Sequence, residues 1–214
     1  MAQYPKDEIR AGICQAALAV MAEQGYRAAT MSEIARVAGV STGNIYRYFP
    51  GKRRLYETVV PSEFIRAFTR LLGRRIHALR GRDPARALAP DDPYQVAVNE
   101  LFEFACRHRL GLVLLLGRSE GTPHAGFAQA LVARLVRLAI AEQRAITPTF
   151  RASRTTRFVL TRIYDNFVGA MVEVLREFDQ AVDIRRAADE LGAYHLVGLT
   201  NLLARLAAKG TRNG

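Results

Sequence analysis

GYRAATMSEIARVAGVSTGNIYRYFPGK, running from Gly25 to Lys52, decides the fold. It reads as two short helices broken by a tight turn. Thr30 followed by Glu33 has the spacing of a capping box, in which each side chain satisfies an orphan backbone N–H at a helix start. Met31, Ile34, Ala35 and Ala38 then supply an apolar face at helical spacing. Gly39 stands where the chain must leave that helix, and glycine tolerates the left-handed conformation that ends helices. Val40 plugs the corner. Ser41 is a good N-cap for a second helix from Thr42 to about Phe49, in which Ile45 and Phe49 face inward. Thr42, Gly43, Asn44, Tyr46, Arg47 and Tyr48 are left on or near the outward side. Pro50-Gly51 stops the helix and Lys52 opens the next one. This is the build of a helix-turn-helix reading head for the DNA major groove.

Most contacts in such a complex go to phosphate and sugar, and fewer read bases. Thr30, Ser41, Tyr46, Tyr48 and Lys52 form the expected phosphate set, offering hydroxyl, backbone or ammonium hydrogens. Thr42, Gly43, Asn44 and Arg47 are the expected base readers. Asn bonds an adenine edge, Arg a guanine edge, and Gly43 lets the backbone come close. Arg47 suits a phosphate equally well.

The segment resembles the N-terminal domain of TetR-family transcriptional regulators. The residues that carry the likeness are Gly25-Tyr26, Thr30, Ile34-Ala35, Ala38-Gly39-Val40-Ser41, Tyr46-Arg47-Tyr48-Phe49 and Lys52, and it covers roughly Asp7 to Val60. Past Val60 only size and helical character are similar. The resemblance implies an all-α chain with a DNA-binding head at residues 1–54 and a helical ligand-binding and dimerisation domain at 55–214. It implies a repressor that binds a palindromic operator as a homodimer and is released by a small apolar or amphipathic inducer. An activator would use the same head.

Composition agrees with a nucleic-acid partner. The chain has a net charge of +11, and residues 1–80 hold 13 Lys/Arg against 6 Asp/Glu. An arginine-rich composition with no functional meaning would give the same total. Cys14 and Cys106 lack a second ligand at metal spacing, so buried reduced thiols are expected, with redox sensing as the alternative. The first ten residues lack the order of a secretory signal, and no apolar run reaches the ~18 residues of a membrane span. A cytoplasmic protein without metal or cofactor is expected.

The rest reads as helix. Pro61 either kinks a helix or divides it from one running from Ser62 to about Leu79; Gly81–Pro93 is the clearest loop; further helices cover Tyr94–Arg107, Leu110–Leu116 and Phe127–Ile146. Two long helices follow, and the apolar stripes of both are wide for one subunit's core. Phe178, Leu191, Tyr194, His195, Gly198, Leu199, Leu202, Leu203 and Leu206 are therefore the expected dimer contacts, in keeping with the C-terminal pairing the resemblance implies. Completion of one subunit's own core is the competing reading. Phe68, Phe102, Cys106, His124, Phe127, Tyr164, Asn166, Phe167 and Met171 are the pocket candidates. No nucleophile and carboxylate surround His108 or His195, which speaks against an enzyme. A helical enzyme or ligand carrier would turn over or carry a metabolite. A non-specific architectural protein would show a steep salt dependence with little sequence discrimination.

Overall fold

A computed structural model describes residues 6–78 and 92–210, without the side chains of 209 and 210, and over these the chain is all-α. Ten helices follow in order among the described residues: α1 Lys6–Gln24, α2 Met31–Val37, α3 Thr42–Tyr48, α4 Lys52–Val59, α5 Ser62–Ala78, α6 Pro93–Arg107, α7 Arg109–Gly117, α8 Phe127–Ile146, α9 Arg154–Glu177 and α10 Ala181–Gly210. Pro61 divides α4 from α5 rather than kinking one helix. The expected loop at 81–93 lies almost wholly outside the described residues; only its last two, Asp92 and Pro93, are seen, Asp92 as the N-cap of α6 and Pro93 in its first turn, where its missing N–H costs nothing.

The first three helices close on one another because each presents one apolar stripe. α1 buries Ile13, Ala16, Ala17, Val20 and Met21, which cover Met31, Ile34 and Ala35 of α2 and Ile45 of α3. The turns are fixed by two glycines with positive φ. Gly25 (+85°) lets the chain leave α1, and Gly39 (+68°) sets the corner between α2 and α3.

α7 is buried almost all round: Leu112, Val113, Leu114 and Leu115 are at most 1% exposed. It packs on α1 of the N-terminal unit and on α8 and α9 of the C-terminal one. One core therefore runs through both, from Ile13 to Leu175 and Ile184. At Gly117 the crossing with α9 is so close that an added Cβ would lie 2.8 Å from Val172 Cγ1. A second cluster, Val132, Val136, Ile140, Phe150, Leu160, Leu199, Leu203 and Ala207, seals α8, α9 and α10 together.

Leu199 and Leu203 are thus core residues of this subunit, which corrects their expected place in a dimer contact. With Ala207 they recur four apart, one stripe of α10 turned onto its own α8 and α9. Leu202 and Leu206 are half-buried beside them, and Leu191 packs on the larger cluster. His195 is also turned inward, its ring stacked on Phe167 at 4.0 Å and edge-on to Tyr164 at 5.1 Å. Tyr194, 82% exposed, Gly198 and Phe178 face out.

Candidate nucleic-acid interface

α2 and α3 start on side-chain caps. Thr30 Oγ1 accepts the Glu33 N–H at 3.1 Å, and Ser41 Oγ accepts the Asn44 N–H at 3.1 Å. The capping box expected at Thr30 has only this one arm. The Glu33 carboxylate is taken by a two-point fork from Arg36 (2.8 and 3.1 Å), which also holds its pKa below the ordinary carboxylate range. Both hydroxyls keep their own hydrogen to donate to a phosphate.

α3 buries Ile45, and Phe49 closes its C-terminal end against the same core. Its other side is open. Thr42, Gly43, Tyr46 and Arg47 are exposed, with Tyr46 50% exposed, while Asn44 and Tyr48 are half-buried. A Cβ added at Gly43 would meet nothing within 4 Å, so packing inside the free protein does not require glycine there. In a helix it costs about 1 kcal/mol relative to alanine.

Lys52 departs from its expected role. Its ammonium is turned inward, donating to the carbonyls of Tyr26 (2.7 Å), Arg27 (3.1 Å) and Ala29 (2.7 Å). All three of its hydrogens are used, and Nζ lies 4.6 Å from the centre of the Tyr26 ring. Partial burial pushes its pKa below the usual lysine range. The exposed cation on α3 is instead Arg47; Arg27 lies 3.9 Å from the Glu120 carboxylate, and Arg53 and Arg54 share the Glu57 carboxylate on α4. Arg53 and Arg54 were missed by sequence reasoning; their signal was their place in the first turn of α4, directly after the Pro50-Gly51 stop.

The pocket candidates do not converge. Phe68 is core, packed on Phe104 and Phe127, and Asn166 is exposed. Phe102 lies under the Arg185 guanidinium at 3.6 Å. Met171 packs on the larger cluster. Tyr164 and Phe167 hold His195; burial pushes the Tyr164 phenol up to about 12 and, together with the Arg75 charge, pulls the His195 imidazole down to about 4. Cys106 borders an open groove of about 270 Å³ with Leu18, Val59, Phe64 and His108. Burial raises both thiol pKa values, Cys14 and Cys106, as expected of unreactive sulfur. His124 belongs elsewhere, against α4: its Nδ1 lies 3.1 Å from the Tyr56 hydroxyl.

No helix among the described residues is long and apolar enough to cross a membrane. Residues 13–59 match the family model of bacterial regulatory proteins of the tetR family. The chain is 34% identical over 88 residues to the HTH-type transcriptional repressor KstR of Mycolicibacterium smegmatis, covering 41% of this chain and 37% of that protein. It is 45% identical over 58 residues to the HTH-type transcriptional activator FasR of the same organism, 27% of this chain and 26% of that one. The matched region therefore spans roughly a quarter to two-fifths of these relatives. The fatty acid degradation regulator FadR from Bacillus halodurans aligns over 89% of this chain and 96% of its own at 19% identity, with a TM-score of 0.44.

Proposed function

We propose that the chain is a TetR-family transcriptional regulator, a repressor that binds a palindromic operator as a homodimer and is released by a small apolar or amphipathic molecule; the match of residues 13–59 and the likeness to named regulators support this. The carrying observation is α3: two side chains anchor it inward while Thr42, Gly43, Tyr46 and Arg47 stand in solvent on its free side. A helix of that size fits the major groove, about 12 Å wide. Arg47 and Asn44 read bases; Thr30, Ser41, Tyr46 and Tyr48 hold phosphates. Residues 1–54 form the head and 55–214 the regulatory body, with α4 running across the division. The inducer enters the body among its half-buried aromatic side chains, and the exposed side of α10 meets a second copy.

The test is binding-site selection from random duplex DNA followed by gel shifts on the selected operator. Arg47→Ala and Asn44→Ala each weaken binding by about 1–3 kcal/mol and relax preference at one base position. Unchanged affinity in both variants would take α3 out of the groove. An activator is the second reading, favoured by the likeness to a relative of that name over 58 residues. The position of the operator relative to the promoter separates the two.

A further inference from the structure

The head is joined to the body by a chain of directional polar contacts as well as by apolar packing. It begins at Lys52, where the chain leaves α3, with the ammonium bound to the α1–α2 turn. The Tyr26 ring of that turn meets the Tyr56 ring edge-on at 5.3 Å. Tyr56, on α4, is completely buried, and its hydroxyl bonds His124 Nδ1 at 3.1 Å. His124 belongs to the turn between α7 and α8, which braces itself: Thr122 Oγ1 donates to the Ser119 carbonyl at 2.7 Å, and the His124 N–H donates to Thr122 Oγ1 at 3.0 Å. The same turn accepts a backbone bond from the Tyr26 N–H to the Arg118 carbonyl at 3.1 Å.

Apolar contacts are non-directional and tolerate small rotations, whereas a buried hydrogen bond sets an angle. A buried phenol hydroxyl that loses its partner is costly, so the head has one favoured orientation on the body. We propose that Tyr56 and His124 are positioning residues for α3. They fix its angle to the body and thereby the half-site spacing that a pair of heads accepts. This rests on the DNA-reading assignment of α3 and on pairing through the body.

The test uses the operator selected by the full chain, with parent DNA and versions carrying one base pair more or fewer between half-sites. One base pair moves a half-site by about 3.4 Å and rotates it by a tenth of a turn. The wild type loses about tenfold in affinity for either altered spacing, a difference worth about 1.4 kcal/mol. Tyr56→Phe, which keeps the ring in the core, and His124→Ala retain affinity for the parent within about threefold, and their spacing penalty falls to about twofold. His124→Asn, which keeps a polar atom toward the phenol, restores the penalty. An undiminished penalty in Tyr56→Phe and His124→Ala overturns the proposal, as does equal weakening on all three DNAs, the mark of a merely structural role. Failure of the wild type to select any operator removes the DNA-reading assignment itself and this proposal with it.

Discussion

Lys52 shows how one side chain serves several segments. Its ammonium gathers three carbonyls from a turn that would otherwise end in unpaired acceptors, and so ties the start of α4 to the end of α1. Replacement by alanine should destabilise the protein by about 1.5–3 kcal/mol, the range for a charged hydrogen-bonding group. Lys52→Arg should not recover this, because a flat guanidinium cannot present three converging hydrogens. Urea titration of the three proteins checks both statements; equal midpoints would return Lys52 to the phosphates. The sequence marked Lys52 as special, since it closes the motif, but not what it serves. Its partners lie 23 to 26 residues earlier and are backbone carbonyls, which carry no side-chain signature.

At the scale of the helix, α10 carries more than one apolar stripe. Its apolar residues were legible, and their wide spread suggested an outward face. The hydrophobic pattern does not say which of two apolar stripes meets the chain's own helices. Leu199 and Leu203 went inward and Tyr194 outward, and His195 landed between Tyr164 and Phe167. α2 and α3 were legible to within about a residue at their ends, because caps and glycine turns act locally, whereas the pairing of Glu33 with Arg36 in place of a full capping box was not. His195 also gives the α9–α10 packing a pH dependence. Burial, aided by the Arg75 charge, holds its folded pKa at about 4 against an ordinary 6.5. Below 6.5 the unfolded chain takes up a proton that the folded one refuses. The stabilising contribution is therefore present above that pH and is lost progressively toward 4. Solvent reaches part of the ring, so the expected loss is of order 1 kcal/mol, or about 2–4 °C in melting temperature. His195→Phe should flatten the melting-temperature profile over that window in differential scanning calorimetry. A variant profile as steep as the wild type's would place the acid sensitivity elsewhere.

The whole molecule is basic, and α10 carries exposed apolar side chains, among them Tyr194 at 82% and Val197 at 50% exposure. If α10 pairs with a second copy through that side, Tyr194→Asp and Val197→Asp together should convert a dimer into a well-folded monomer in sedimentation equilibrium. Operator affinity should then fall steeply, because a single head buries too little surface for specific binding. A dimer that survives the double substitution would move the interface to another helix. Leu203→Asp serves as the contrast, for it should unfold the subunit by burying a charge in the α8–α9–α10 cluster.

The position of α7 limits how the gene could be dissected. Four consecutive residues, Leu112 to Leu115, fill space that the amino-terminal helices and the later ones both border. A clone stopping at Val60 would strip α7 from the face of α1 it packs on. The amino-terminal helices and the later ones are thus cast as a single piece: the short fragment has no native partner for its rear wall, and a swap of the first helices between relatives must carry a matching α7 along.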